Sequence, residues 1–342
     1  MPEPSDTSAS EQPAAGGLRV TFEPAARLDE VIGAPDVLAV VDYADQTRSH
    51  AEASHRITLG LPPLDSAETI EVWRTEGPVT RATDGPFGIA EAADVLFAQL
   101  VLDEADYTDL DATTAQAYRE ICALLKRRGF PHLVRIWNYF PDINTPEQGL
   151  ERYQAFCLGR HRALEPTPEM ERDLPAATAI GGQGRGLVIY FLAARSPGVQ
   201  IENPRQVSAF RYPERYSPRS PSFSRATLKH WGRDRHLYIS GTASIVGHES
   251  RHVDEPLAQL DEILENLQAL IEAANRVEPI GIDSPAGLSL LKVYLREPGL
   301  LAPVRDQLAQ TLDDGPRVIY LLGDICRKEL ALEIEALYTT HS

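Results

Sequence analysis

Two glutamates near the end of the chain are suited to acid–base chemistry. Glu333 and Glu335 alternate with Leu332, Ile334 and Ala336. This period of two predicts a β-strand with both acids on one face and the apolar residues on the other. Two carboxyls beside large apolar residues are costly unless one of them is paired or does chemistry. One of the two glutamates is therefore expected either to pair with an arginine or to act as a general acid, and residue types alone do not say which one.

The three cysteines give information on the region around Glu333 and on the cellular compartment. Cys326 lies seven residues before Glu333, and it is either a small buried hydrophobic residue or a thiol that assists the acid. The other two cysteines, Cys122 and Cys157, are distant in sequence. An odd number of widely spaced cysteines argues against a disulfide framework, so we expect a reducing, cytoplasmic location.

The charge of the chain limits the kinds of partner. The formal net charge is −17 over 342 residues, which argues against nucleic acid or an anionic membrane surface. An anionic ligand would need a local arginine cluster, because guanidinium groups bind carboxylates in pairs of hydrogen bonds. The candidate arginines lie beside strand or linker aromatics and are Arg135, Arg160, Arg211 and Arg296. Tyr212 is a possible hydrogen-bond donor to the same ligand. Each of these residues could instead be a surface or packing residue.

Two motifs have simpler explanations than the chemistry they suggest. Residues 248–252 spell His-Glu-Ser-Arg-His, the zinc-peptidase pattern, which needs both histidines on one helical face. Here the pattern follows a β-like run and precedes a helix start at Pro256, so we expect a strand-to-helix loop and no metal. The glycine-rich run 181–186 lacks the Lys-Ser/Thr ending of a nucleotide loop and is expected to turn one strand into the next.

The elements that would position these residues occur twice in the same order. The first pass predicts strands at 94–101, 132–140 and 186–193, with helices at 113–126 and 149–159. The second predicts strands at 236–245, 290–296, 317–322 and 330–337, with helices at 256–275 and 301–312. Further strands are predicted at 18–22, 37–42 and 71–73. This order indicates a duplicated α+β unit, with helices on one face of mixed sheets; the alternative is two unrelated α+β domains.

The repeat divides the chain into four parts. Residues 1–17 have the composition of a disordered tail and not of a signal peptide. Residues 18–200 form the first unit with extra N-terminal strands, and residues 231–342 form the second unit, which carries Glu333. Residues 201–230 are rich in Pro, Arg, Ser and Tyr. They are expected to form a linker that packs over the site.

Several stretches resemble a known family when taken in order. The strand ending Glu-Ile-Glu-Ala is similar to the carboxyl end of the reactive-intermediate deaminase (Rid/YjgF, chorismate mutase-like) fold. In more detail the chain resembles the chorismatases, which join two Rid-like units in one chain. The segments that carry the resemblance are 132–144, 151–160, 202–206, 210–213, 217–227, 240–248 and the final Cys-Arg to Glu-Ile-Glu run.

The resemblance implies a reaction and roles for residues. Chorismatases remove the enolpyruvyl group of chorismate as pyruvate, and Glu333 takes the place of the catalytic acid. Gly241 and Cys326 resemble the markers of the subtype that makes 3-hydroxybenzoate, without a metal or an organic cofactor. Arg135, Arg160, Arg211, Tyr212 and Arg296 would bind the substrate. The second unit would supply the interface that single-unit relatives obtain from a neighbour, so a monomer is expected.

Two other functions stay open from the sequence. One is the hydrolytic chorismatase reaction, which gives pyruvate and trans-3,4-dihydroxycyclohexa-1,5-diene-carboxylate. The other is a Rid-like protein that deaminates imines or only binds a small carboxylate. Imine deamination fits less well, because the arginine of the simple deaminases has no clean counterpart here: Arg317 falls one position off and Ala177 replaces it in the first half.

Overall fold

The computed structural model describes most of the chain. Its described residues are 17–65, 68–106, 109–164, 171, 173–184, 186–213, 218–313 and 315–340. The expected disordered tail at 1–17 lies outside them, apart from Gly17. No helix in these ranges combines the length and the apolar character needed to cross a membrane.

The first sheet is built from the N-terminal strands. Its strands are β1 (Leu18–Pro24), β2 (Val37–Ala44), β3 (Arg48–Ser49), β4 (Arg56–Gly60) and β5 (Thr69–Thr75), with the short helix α1 (Leu28–Ile32). The order is β1-β5-β2-β4-β3. Strands β2 and β4 are parallel, and the other neighbours are antiparallel.

The second sheet carries two long helices. Its strands are β6 (Thr80–Asp84), β7 (Phe87–Ala92), β8 (Val95–Leu102), β9 (His132–Phe140), β12 (Ala176–Gly181) and β13 (Leu187–Ala194). The helices are α2 (Leu110–Arg128) and α3 (Arg152–Leu164), and a small hairpin joins β10 (Pro146–Glu147) to β11 (Leu150–Glu151). The strand order is β12-β9-β13-β8-β7-β6.

The third sheet contains the Glu333 strand. Its strands are β14 (Val199–Ile201), β15 (Ala226–Trp231), β16 (Asp234–Thr242), β19 (Leu290–Leu295), β20 (Arg317–Leu322) and β21 (Leu332–Thr339). The order is β14-β15-β16-β21-β19-β20. The helices are α4 (Pro256–Val277) and α5 (Leu301–Leu312), and the hairpin strands are β17 (Ile245–Val246) and β18 (Glu249–Ser250).

All three sheets share one arrangement of four strands. In each, the fourth strand of the unit lies between the first and the second, and the third pairs parallel with the second: β1-β5-β2-β4, β8-β13-β9-β12 and β16-β21-β19-β20. This confirms the predicted α+β repeat. It also shows that the extra N-terminal strands are a third, reduced copy. Periodicity missed that copy because it has no long amphipathic helix.

The helices cover one face of each sheet. Asp109 caps the start of helix α2, where its side chain accepts a hydrogen bond from Ala112 N at 2.6 Å, and the helix ends before Gly129 at φ 75°. Helix α4 has Pro256 in its first turn, where a missing N–H costs nothing. Its apolar stripe, including Leu260 and Leu267, is fully buried against the third sheet.

The other faces of the sheets meet in one aromatic core. Trp73 of the first sheet lies 6.2 Å from Trp137 of the second, measured between ring centroids, and 6.3 Å from Tyr238 of the third. Trp137 also stacks on Tyr190 at 4.6 Å. Because the inner faces cover one another, the three units of a single chain enclose this core.

Several elements differ from their predicted bounds. Strand β12 was not predicted, and it is the edge strand of the second sheet. The predicted linker 201–230 ends in β15, so its last residues belong to the third sheet. The His-Glu-Ser-Arg-His run lies in the β17–β18 hairpin and the turn after it, not on a helix. The glycine-rich run joins β12 to β13, and Gly181 N donates to Asp324 O at 2.8 Å.

Candidate active site

A cavity of about 250 Å³ lies between the second and third units. Helix α3 and strand β12 form its wall on the side of the second unit. Strands β16 and β21, with residues 326–329, form the opposite wall, and residues 221–225 cover one side. The seam is held by side chains that satisfy the edge strand: Ala176 N donates to Thr227 Oγ1 and Ala177 N to Ser240 Oγ.

Glu333 lies in this cavity wall with an unusual environment. Its side chain is on the inner face of β21 and the residue is 5% exposed. Among the described residues, no group makes a hydrogen bond to its carboxyl. Burial, and then the charge of Glu335, raise the pKa of Glu333 to about 8, while Arg135 and Arg225 oppose this. Glu333 is therefore protonated at neutral pH.

Gly241 provides the space for this carboxyl. Strand β16 is irregular between Ile239 and Thr242, where its pairing with β21 shifts. A Cβ at position 241 would lie 1.9 Å from Glu333 Oε1 and 2.8 Å from Cδ, closer than any real contact. Gly241 therefore allows the acid to lie where it does, and any larger residue here would displace the Glu333 carboxyl.

Glu335 lies on the same face of β21, and its carboxylate, unlike that of Glu333, has several hydrogen-bond and ion-pair partners. Its carboxylate accepts hydrogen bonds from Arg135 Nη2 at 2.9 Å, Trp137 Nε1 at 2.9 Å and Thr178 Oγ1 at 2.8 Å. Lys292 Nζ lies 3.0 Å away. Burial alone would raise the pKa of Glu335, but Lys292 and Arg135 outweigh it and lower this pKa to about 2. The strand thus presents one neutral and one ionised carboxyl.

Three arginines give the cavity a positive wall. Arg160 is 3% exposed, and its Nε and Nη2 have no hydrogen-bond partner among the described residues. Arg225 donates to Tyr212 Oη at 2.7 Å, and its Nε is likewise without a partner in the described chain. Arg327 lines the same cavity, and its guanidinium lies 5.5 Å from the Tyr212 ring. Such a wall suits a ligand with carboxylates.

Two thiols complete the cavity near the acid. Cys326 and Cys157 both line it. Burial raises the pKa of each to about 12, and the charge of Glu333 adds to the effect at Cys326. Tyr153, partly buried beside them, is hydrogen bonded to Cys157. Both thiols are therefore neutral, polarisable groups and not nucleophilic thiolates.

The structure brings together five of the residues singled out from the sequence and separates three others. Glu333, Cys326, Gly241, Arg160 and Tyr212 all line the cavity. Arg135, Arg211 and Arg296 do not, so their predicted role as substrate-binding residues does not fit this geometry.

Each of the three outlying arginines has another environment. Arg135 is buried against Glu335. The Arg211 side chain is 70% exposed beside Phe210. Arg296 pairs with Asp324 at 2.8 Å and donates to the carbonyls of Ile325, Arg327 and Leu330, so it shapes the loop that carries Cys326.

Sequence reasoning missed two of the cavity arginines, Arg225 and Arg327. Both lie in segments that carried the family resemblance, 217–227 and the Cys-Arg pair at 326–327. Arg225 was missed because the sequence analysis assigned residues 201–230 to a linker and did not predict strand β15, which begins at the next residue. Thr178 was missed with its strand β12 for the same reason.

Sequence comparison finds relatives of this chain over most of its length. Residues 71–193 match a family model described as chorismatase FkbO/Hyg5-like, N-terminal. A 3-hydroxybenzoate synthase of Streptomyces hygroscopicus is 35% identical over 316 residues, covering 88% of this chain and 91% of that protein. A chorismatase of Streptomyces rapamycinicus is 38% identical over 296 residues, covering 84% of this chain and 88% of its own.

A solved structure extends the similarity to the whole fold. A chorismatase crystal structure superposes with a TM-score of 0.85 at 32% identity, covering 94% of this chain and 98% of that one. The relatives and the structure span nearly the same length as this chain. From this identity and coverage, the chain is an enzyme that belongs to the chorismatase family.

Proposed function

We propose that this enzyme converts chorismate to 3-hydroxybenzoate and pyruvate, with Glu333 as the general acid. The observation that carries the proposal is the environment of Glu333: a buried, protonated carboxyl without hydrogen-bond partners among the described residues, facing an arginine-lined cavity. The name of the Streptomyces hygroscopicus relative, a 3-hydroxybenzoate synthase, supports the choice of product.

Binding of the substrate is assigned to the positive wall. Chorismate carries two carboxylates, and Arg160, Arg225 and Arg327 offer guanidinium groups on the cavity side. The buried nitrogens of Arg160 and Arg225 without partners in the described chain would then bind carboxylate oxygens. Tyr212, held by Arg225, lies beside them.

The first chemical step is a proton transfer to carbon. Glu333 gives its proton to the terminal methylene carbon of the enolpyruvyl ether, which becomes a methyl group. The adjacent carbon becomes an oxocarbenium-like cation, and the new carboxylate of Glu333 stabilises that charge in a dry pocket. A carboxyl with a pKa of about 8 is protonated at pH 7, as this step requires.

The second step breaks the ether bond without water. The neighbouring ring hydroxyl attacks the ring carbon that bears the ether, and the C–O bond to that carbon breaks. Its electron pair forms the keto group of pyruvate, and the hydroxyl proton returns to Glu333. The strained ring oxide then opens, and loss of a ring proton to its oxygen gives the phenol. The two products together have the composition of chorismate, so no co-reactant is consumed.

Product choice is assigned to Gly241 and Cys326. Gly241 lets the Glu333 carboxyl lie against the β16 backbone. The neutral Cys326 thiol lies beside the same cavity and would help to guide the ring-oxide step. If water attacked the cation instead, the product would be the non-aromatic diene diol.

A coupled assay tests the proposal. The protein is incubated with chorismate, pyruvate is followed with lactate dehydrogenase, and the ring product is identified by chromatography. Glu333→Gln, purified in parallel, controls for contaminating activity. Pyruvate and 3-hydroxybenzoate in equal amounts support the proposal. Pyruvate with the diene diol replaces it with the hydrolytic reaction. Pyruvate at the rate of the Glu333→Gln control overturns both and leaves a Rid-like deaminase or carboxylate-binding protein.

A further inference from the structure

A buried cluster of four charges lies next to the proposed acid. Lys292 Nζ lies 2.6 Å from Glu71 Oε2 and 3.0 Å from Glu335 Oε1. Arg135 Nη2 lies 2.9 Å from Glu335 Oε2. All four residues are at most 5% exposed. They come from β5, β9, β19 and β21, so each of the three sheets contributes to the cluster.

The charges of this cluster balance without Glu333. Lys292 and Arg135 supply two positive charges, and Glu335 and Glu71 supply two negative charges. Glu333 lies two residues before Glu335 on the same face of the strand. A third carboxylate there would be a buried charge beside a like charge with no cation of its own within the cluster, which is costly. The state of lower free energy is therefore the one in which Glu333 is protonated.

We propose that Glu335 is a positioning residue for the proton: Lys292 and Arg135 hold it as a carboxylate, and its fixed negative charge keeps Glu333 protonated. The inference rests on the proposed function, in which Glu333 is the acid. Glu71 extends it to the first sheet, because this carboxylate offsets the charge of Lys292. Without Glu71, a surplus cation would favour the ionised form of Glu333.

Thr178 connects the charge cluster to Gly241, the residue against which the Glu333 carboxyl lies. Its Oγ1 donates to Glu335 Oε2 at 2.8 Å and accepts from Gly241 N at 3.1 Å and from Arg135 Nη2 at 2.5 Å. The Thr178 side chain is thus hydrogen bonded both to Glu335, the ionised carboxyl, and to Gly241, the residue that leaves space for Glu333. Their separation is set by hydrogen bonds across the seam between the units.

Other charged and titratable groups also face Glu333, and they have to be separated from the effect of Glu335. Arg225 opposes protonation, as does Arg135, and the neutral thiols and Tyr153 carry no charge at pH 7. Among the described residues, the set comprises Glu335 on β21, Arg135 on β9, Arg225 before β15, Tyr153, Cys157 and Arg160 on α3, Glu151 before α3, Tyr212, and Cys326, Arg327, Lys328 and Glu329 in the loop before β21.

Variants of the cluster with opposite charge changes test the proposal. We measure the pH dependence of kcat/KM, whose alkaline limb reports ionisation of Glu333 in the free enzyme. Glu335→Gln leaves a surplus positive charge, so the limb moves down by about 1 to 2 pH units. Lys292→Met leaves a surplus negative charge, so the limb moves up. The double variant Glu335→Gln/Lys292→Met is balanced again, and its limb returns towards that of the wild type.

A purely structural role of the cluster predicts a different pattern. All variants would then lose rate while the alkaline limb stayed in place, and that result overturns the proposal. If Glu335→Gln does not fold, Lys292→Met decides alone: an upward movement of the limb supports the proposal, and an unmoved limb overturns it. Glu71 is separated from Glu335 by Lys292. Glu71→Gln should therefore move the alkaline limb down by less than Glu335→Gln does.

An infrared measurement separates this inference from the proposed substrate. At pH 7, the carbonyl stretch of a protonated carboxylic acid should be present in the wild type and absent from Glu333→Gln. In Glu335→Gln the band should lose about half of its intensity or more, because a shift of about 1 to 2 pH units leaves Glu333 largely ionised at pH 7. Failure to release pyruvate from chorismate rejects the proposed function but does not affect this infrared result. A band of full intensity in Glu335→Gln rejects the inference even if pyruvate is formed.

Discussion

Replacement of Glu333 by glutamine should remove activity and stabilise the protein. The amide has nearly the same shape as the protonated carboxyl, and it carries no charge at any pH. Among the described residues the carboxyl has no hydrogen-bond partner to lose. It cannot deliver a proton, however, and loss of a general acid lowers turnover by about 10²- to 10⁴-fold. Activity and stability should therefore change in opposite directions.

The stability effect follows from the pKa of Glu333. Its pKa rises from 4.5 to about 8 on folding, so the folded protein holds a proton that the unfolded chain releases. The free energy of unfolding of the wild type must then fall as the pH rises from 4.5 to 8. At about 1.4 kcal/mol per pH unit, the variant should gain about 4 kcal/mol over the wild type between pH 5 and pH 9.

Urea unfolding at the two pH values measures this gain. The quantity is the difference in unfolding free energy between variant and wild type, which removes the effects of pH on all other groups. Glu297→Gln is the matched control, because Glu297 is an exposed carboxyl of the same unit and the substitution is the same. A Glu333→Gln difference that is the same at pH 5 and pH 9 would show that Glu333 is not protonated by burial, and the reasoning would fail.

Three further predictions concern product, pH and assembly. In Gly241→Ala/Cys326→Ala, the new methyl forces the Glu333 oxygen to move by about 1.5 Å, from 1.9 Å to an ordinary contact of 3.4 Å. Chromatography should therefore show a smaller share of 3-hydroxybenzoate and a larger share of diene diol, and an unchanged ratio would refute this. In the wild type, kcat/KM should fall above about pH 8 as Glu333 ionises, whereas a flat profile to pH 10 would exclude it as the acid. Light scattering should give the mass of a monomer, 37.7 kDa, because the inner sheet faces are covered within one chain; a trimer would contradict this.

The sequence revealed those parts of the fold that repeat with a clear period. Strand β9, helix α5 and strand β20 lie at the predicted residues, since each has a regular apolar pattern between turn residues. Strand β12 was missed because Ala176–Gly181 is short and made largely of small residues. The third copy of the unit was missed because its identity depends on strand order, and strand order is a property of pairing and not of any single segment.

The candidate site was predictable only where family motifs marked it. Alternation placed Glu333 and Glu335 on one face, but only the partners of each acid decide which is neutral. Lys292 and Glu71, which lie more than 200 residues apart in the sequence, both belong to that decision. Arg135 and Arg296 have the residue type expected of a carboxylate binder. Each instead satisfies other buried or backbone groups, which composition cannot show.

The seams between the three units explain why the acid lies where it does. At the seam between the third and first units, residues 62–64 pair with β20, with Leu64 N donating to Tyr320 O and Leu322 N to Pro62 O, both at 2.9 Å. Backbone pairing of this kind leaves no room for a ligand. At the seam between the second and third units, backbone bridges lie at the two ends of β12, between Ala176 and Ser224 and between Gly181 and Asp324. Hydroxyl side chains also bind the edge of β12, and the β16 irregularity at Gly241 opens space beside Glu333.

Three identical copies could not make this distinction, because every seam would then be the same. A chain with three divergent copies can close one seam by strand pairing and keep another as a cavity. The first copy, reduced to a sheet with a short helix, still contributes Glu71 to the charge cluster beside the acid. The first copy thus contributes to electrostatics as well as to packing: without it, Lys292 would keep only Glu335 as an ion-pair partner, and Trp137 and Tyr238 would lose their contact with Trp73.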